Sequence, residues 1–501
     1  MSEHHRAWSF HDAPVERSFA WGLALTTLPV VSAFVVSWVI ARWAGPSVWG
    51  TVSWAMAFAT ALLIVAKMGV ELGASRLASE YGVGQPALLR RLYRVATQMR
   101  AAFTLPVAAL SFILAHPIAR AFHDEALVWP VRLAAVIVVC ASLFEFQEQF
   151  LVGLNRHATV ARIRALMLGA RAVATVALVA AGLGAVTLLT GYVAAWVLGI
   201  AAFVVLLRRY LPAATEAGAE PGLRRRLFAI SIPLAVSSAS VTIYTQMDKL
   251  MLGYFDNVEE VGQYALARAV TEVSLFPAFA LVVTLRPALA ARFSSGRVAE
   301  CARLIRRSLR LSFASGVMFA SVFAVLSLPL FTTVYSDAYR YAAGLMGLFV
   351  WVIVLRSVGA LLLPALIAAE RTRRYAVLTT ASAVANFVLN LALIPSLHAR
   401  GAVIATLVSY ALLLGFGLRE VFVVFGVRPS LGAAWVAVRT LFAGGAAATL
   451  TWIVLNRLPA STPPWTALAL AAAQALVFVA LAAALGVLPR ELVGKVLKTN
   501  R

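Results

Sequence analysis

Blocks of about twenty apolar residues, separated by short polar turns, recur from one end of this sequence to the other. About twenty residues is what a helix rising 1.5 Å per residue needs to cross a hydrocarbon core of roughly 30 Å. The blocks predict about fourteen transmembrane helices. The first six lie near 19–41, 48–70, 95–115, 129–153, 159–181 and 185–207. The next six lie near 229–252, 262–285, 309–332, 344–369, 375–397 and 401–424. Two more lie near 433–455 and 465–487. The expected fold is an all-α polytopic membrane protein. With 62% hydrophobic and 13% charged residues, no water-soluble fold could hide the apolar surface of this chain.

The cations define the topology. Taking alternate connections from the leader onward, 31 Lys and Arg fall on one side and 7 on the other. Such an asymmetry places the rich side, and with it both termini, in the cytoplasm. It also explains the net charge of +22 as membrane topology rather than nucleic-acid binding. Domain limits follow: a leader 1–18, six helices over 19–207, a polar linker 208–228, six helices over 229–424, two further helices over 425–487 and a tail 488–501. The block 19–41 is too long for a signal-peptide core and has no small-residue cleavage motif after it, so it reads as a retained helix.

The two six-helix halves echo each other. Leu151-Val152-Gly153-Leu154-Asn155-Arg156 resembles Leu366-Ile367-Ala368-Ala369-Glu370-Arg371, and Gly184-Ala185-Val186 recurs as Gly401-Ala402-Val403. The turn Gly45 to Gly50 is matched by 256–262. Both halves begin on the same side, so the repeat is parallel, about an axis along the membrane normal.

Several segments resemble the polysaccharide-transporter family. They are Ala41-Arg42-Trp43-Ala44-Gly45-Pro46, Asp248 to Gly253 followed by Val261 to Ala265, and above all Asn386 to Pro395 followed by Gly401 to Thr406. The last run is similar to the eleventh and twelfth helices of bacterial oligosaccharide-lipid flippases. The resemblance implies two six-helix lobes around a central cavity and alternating access. It implies as cargo an undecaprenyl-diphosphate-linked oligosaccharide moved outward for O-antigen, capsule or exopolysaccharide assembly in the bacterial inner membrane. A polysaccharide polymerase and glycosyltransferases are the implied protein partners of a monomer surrounded by membrane lipids. Multidrug antiporters and the peptidoglycan-precursor flippase are sister groups.

Ionisable residues in mid-membrane are expensive and therefore candidates for function. Arg171 in helix five and Arg356 in helix ten offer forked donors suited to phosphate oxygens. Their alternative is an internal pair with a carboxylate. Asn386 and Asn390 share one helix face and suit sugar hydroxyls or, equally, helix–helix hydrogen bonds. Glu145 and Glu148 suit a coupling cation or proton, or a hydrated vestibule. Asp248, Lys249, Arg268 and Glu272 are expected to form an ion-pair cluster gating the outer face. Lys67, Glu71 and Arg439 are expected to snorkel to an interface. Two cysteines, Cys140 and Cys301, and three leader histidines give no metal site or disulfide framework, and no cofactor is expected. Outer loops are short, and only 116–128 gathers His116, His123, Asp124 and Glu125. No nucleotide-binding loop is present. A membrane glycosyltransferase or polymerase is therefore the weaker reading, and an enzyme is not expected.

Overall fold

A computed structural model describes residues 15–82, 85–210, 222–428, 430–459, 463 and 465–488. Residues 1–14, 211–221 and 489–501, which take in most of the leader, the middle of the linker and nearly all of the tail, lie outside the described residues. Those described are helical, with no strand among them. Among the described residues ten helices are long and apolar enough to cross a membrane, or eleven if one bent pair counts as a single span. Two of the ten contain a break that divides them. α1 (Val15–Lys67) is interrupted at Gly45, with φ 83° and ψ 178°. α14 (Thr372–Phe425) is interrupted at His398, with φ 54° and ψ −136°. Both breaks fall in polar turns between predicted helices, so the count is compatible with fourteen passes.

The chain divides into two compact units, Met1–Gly262 and Gln263–Arg501. In the first, α1 is followed by α2 (Val70–Tyr81), α3 (Pro86–Ile113), α4 (Ala115–Ala121), α5 (Val128–Gly153), α6 (His157–Ala180), α7 (Ala185–Tyr210) and α8 (Leu223–Phe255). Helix α3 begins well before the predicted 95 because Pro86 suits a first helical turn. Its core is aromatic: Phe144, Phe146, Phe150 and Phe203 are fully buried. α8 packs on α1 and α2, which draws it into this unit.

In the second unit, the predicted eighth helix is two helices. α9 (Val258–Ser274) ends at Leu275, and α10 (Phe276–Ser294) restarts with Pro277 in its first turn. α11 (Val298–Val334), α12 (Arg340–Gly359), α13 (Leu362–Ala368), α14, α15 (Leu431–Arg457) and α16 (Thr466–Ala484) follow. α15 and α16 pack on α11. Arg439 does not simply snorkel: it donates to the Leu485 carbonyl at 3.2 Å, and Arg310 donates to the carbonyl of Gly486. Two arginines thereby cap the C-terminus of α16, where unsatisfied carbonyls carry partial negative charge.

The internal repeat is visible in the backbone. Asn155 and Glu370, 215 positions apart, both take left-handed conformations, φ 60° and 57°. After each, the same pair of hydrogen bonds closes the helix end. Arg156 N–H donates to Leu151 O at 2.9 Å and Arg371 N–H to Leu366 O at 2.8 Å. Asn155 N–H donates to Val152 O and Glu370 N–H to Ile367 O. This is the Schellman arrangement, formed twice from related sequences. A second equivalence lies within the first unit. A Cβ added at Gly50 would lie 1.6 Å from Val258 O, and one at Gly262 would lie 2.1 Å from Pro46 O. Pro46 and Gly50 are matched at one offset by Val258 and Gly262, so the two turns cross with their backbones in contact.

Candidate functional site

The first unit carries a cluster of buried charge. The Lys67 ammonium donates to a Glu145 carboxylate oxygen, so Lys67 is held by a partner rather than snorkelling. Three residues on, Glu148 pairs with Arg164 at 3.0 Å, and Arg164 also donates to Leu25 O at 3.2 Å. The two carboxylates of α5 are thus engaged by cations from different helices. Arg100 lies four turns inside α3 and is only 2% exposed. It donates to the carbonyl and hydroxyl of Ser142 and stands 5.1 Å from the Phe146 ring centre. Thr104 completes this layer, donating to Ala66 O at 3.1 Å.

Glu71, at the start of α2, is buried and has a carboxylate oxygen without a hydrogen-bond donor. This short helix is not among the candidate spans. Burial pushes the Glu71 carboxyl above the ordinary carboxylate range, against the pull of Arg100 and Lys67.

Arg171 stands apart from this cluster. One η nitrogen donates to the Ser32 hydroxyl at 3.2 Å, and the guanidinium lies 5.3 Å from the Tyr192 ring centre. Its Nε is buried without an acceptor. Among the described residues no carboxylate lies within ion-pair distance of it. It is a desolvated cation with unused donor capacity, the condition that favours an anionic guest.

Arg356, in the second unit, has a different setting. Both η nitrogens meet the two carboxylate oxygens of Glu272, one contact at 3.0 Å. The guanidinium also lies 5.3 Å from the Tyr410 ring centre. Of the two settings open to it from sequence, Arg356 takes the internal carboxylate pair. Glu272, which is also expected in an outer ion-pair cluster, thus binds a residue of α12 through both carboxylate oxygens. Arg268 is buried and donates to the Tyr264 hydroxyl at 3.2 Å. Within the first unit, Asp248 is fully buried and Lys249 reaches Gln246 at 3.4 Å.

Asn386 and Asn390 are buried between the two halves of α14. The Asn390 amide donates to Asn386 Oδ1 at 3.1 Å, and Asn386 donates to the Ser409 hydroxyl at 3.4 Å. Ser382 donates to Ser409 O at 2.7 Å. The two contacts to Ser409 join the halves of α14, and the Asn390–Asn386 bond lies within one half. No group of three or more His, Cys, Asp or Glu able to hold a metal occurs among the described residues.

Sequence reasoning missed Arg100, the Lys67 partnership and the burial of Glu71. The available signal was that Lys67, Glu71, Glu145 and Glu148 all lie at one end of adjacent helices.

A family profile described as polysaccharide biosynthesis protein matches residues 17–293, more than half of the chain. The chain belongs to the polysaccharide biosynthesis protein family. A second profile, MatE, matches residues 233–392 of this polysaccharide biosynthesis protein. Among solved structures, the fold is similar to "Lipid II flippase MurJ, inward closed conformation", with a TM-score of 0.73 at 12% identity, covering 95% of this chain and 99% of that one. It is also similar to an inward-facing multidrug resistance MATE family transporter of the MOP superfamily, with a TM-score of 0.63 at 14% identity, covering 80% and 96%. An outward-facing multidrug resistance MATE family transporter of the same superfamily aligns with a TM-score of 0.51 at 14% identity, covering 82% and 96%. No curated protein matches the sequence. The fold of the chain is therefore the one shared by that flippase and those transporters.

Proposed function

We propose that this protein flips an undecaprenyl-diphosphate-linked oligosaccharide from the cytoplasmic to the outer leaflet of the bacterial inner membrane by alternating access. The product feeds O-antigen, capsule or exopolysaccharide assembly. The observation that carries the reading is Arg171, a half-buried guanidinium whose buried Nε has no acceptor and which has no carboxylate within ion-pair distance among the described residues, in a chain of the polysaccharide biosynthesis family. A lipid diphosphate entering hydrocarbon loses its hydration and needs such a cation. An inside-negative potential adds about 2.3 kcal/mol per charge per 100 mV to outward movement of an anion.

In this reading the lobes are 19–207 and 229–424, both termini are cytoplasmic, and Glu145 and Glu148 with their cationic partners form a switchable layer. A polymerase and glycosyltransferases act on either side of the step. The peptidoglycan-precursor flippase is the second reading, since it handles the same lipid-diphosphate chemistry and the fold likeness to MurJ extends over 95% of the chain. A drug–cation antiporter suits this charge pattern less, because Arg171 would repel a cationic drug.

The test is a deletion strain lacking redundant flippases. It should lose surface polysaccharide and accumulate lipid-linked repeat units on the cytoplasmic leaflet. Normal surface polysaccharide would reject the reading; arrested cell-wall synthesis would favour the peptidoglycan precursor.

A further inference from the structure

In the second unit a cavity of about 160 Å³ lies between α9–α10, α12 and the two halves of α14. We propose that this cavity is a pocket for one neutral sugar ring, the unit carried on the lipid diphosphate; the assignment rests on the flippase reading above.

The first argument is charge. Arg356 lines the cavity, and its guanidinium is neutralised by the Glu272 fork. A neutralised pair gives no net attraction for a phosphate or an ammonium group. It still offers polar groups, because a guanidinium has five N–H donors and the fork uses two. An uncharged polyol is the guest that such a wall recognises.

The second argument is the remaining lining. Tyr375 and Tyr410 supply two rings and two hydroxyls, and Phe279 supplies a third ring. A pyranose presents C–H groups on its faces and hydroxyls at its rim. Aromatic faces with polar tips match both. A mostly apolar pocket with a few placed polar groups is the usual construction of a small-molecule site.

The third argument is backbone and size. Two helix discontinuities meet here, at Leu275 between α9 and α10, and at the end of α12 around Gly359 and Ala360. Irregular backbone at membrane depth is tolerated where it is buried in protein or lines a cavity. A Cβ added at Gly359 would meet no atom within 4 Å, so the glycine leaves space at the wall without being required by packing. The volume lies below the roughly 300–1,000 Å³ usual for a drug-sized ligand, a size that suits a single ring better than a chain of them.

Gly359→Leu fills the cavity without a backbone clash, which makes a clean test. Purified full-length protein in nanodiscs is titrated with citronellyl diphosphate and with its glucosyl, galactosyl and N-acetylglucosaminyl derivatives. The wild type should bind at least one sugar derivative about tenfold more tightly than the bare diphosphate. Gly359→Leu and Tyr410→Leu should lose that increment while keeping wild-type affinity for the bare diphosphate. Gly359→Ala should retain it. Equal wild-type affinity for all four analogues, or a full increment in Gly359→Leu, overturns the pocket and leaves the flippase reading standing. Failure of every analogue to bind the wild type overturns the flippase reading, and the pocket with it.

Discussion

Arg171 and Arg356 each lie deep in an apolar helix, yet among the described residues only Arg356 has a carboxylate within ion-pair distance. Their depth was legible from sequence, because each interrupts a run of apolar residues. Their partners were not, since Glu272 is 84 positions from Arg356 and the pairing joins two different helices. The two sites should respond differently to substitution. Arg171→Ala should abolish transport at a normal membrane level, and Arg171→Lys should restore part of it, because charge returns without the forked geometry. Surface polysaccharide and membrane protein level, measured together, check this. Arg356→Ala removes the forked partner of Glu272, whose side chain is 37% exposed, and should cost about 1 kcal/mol of stability once solvent screening is counted, seen as a lowered melting temperature in detergent. Replacing both partners, Arg356→Met with Glu272→Leu, should recover most of that loss. Glu71 gives a pH signature. A carboxyl raised on folding contributes stability below its unfolded value, and this is lost as pH rises through the folded value. The wild-type melting temperature should therefore decline across that window more steeply than that of Glu71→Gln.

Among the helices, the apolar blocks fixed where spans would lie, and the polar turns marked Gly45 and the segment at His398 as boundaries. Two features escaped. The break at Leu275 sits inside a continuous apolar run, where only Pro277 hints at it, so 262–285 reads as one helix. Short α2 has apolar residues at half of its 12 positions but no unbroken apolar run, so it could not be separated from a loop. The repeat was legible as three ordered matches, and its physical content emerges only in the backbone, where Asn155 and Glu370 adopt the same left-handed turn. Glu370 tolerates that turn at a cost of roughly 1–2 kcal/mol. Glu370→Gly should accordingly stabilise the protein modestly, as a raised melting temperature would register. The crossing of Gly50 with Val258 leaves no space for a side chain. Gly50→Ala should destabilise by about 1–3 kcal/mol, whereas Gly415→Ala, where an added Cβ meets nothing within 4 Å, should be close to neutral.

For the whole molecule, composition and block length decide the solvent, and the 31-to-7 division of cations decides the proposed orientation. Reporter fusions at Arg226 and Arg501 should both give cytoplasmic signals; a periplasmic signal at either would break the alternation. Substrate class is a different matter. It depends on which buried charges remain unneutralised, and that is a property of packing rather than of composition. The central claim is transport of a lipid-linked oligosaccharide, and reconstitution tests it most directly. Proteoliposomes carry a fluorescent undecaprenyl-diphosphate oligosaccharide, and an impermeant glycosidase reports the fraction of sugar on the outer leaflet over time. With an imposed potential that drives anions outward, wild-type vesicles should convert the protected fraction to a cleavable one, while Arg171→Ala vesicles should match protein-free liposomes. Wild-type vesicles no faster than protein-free liposomes would contradict the account.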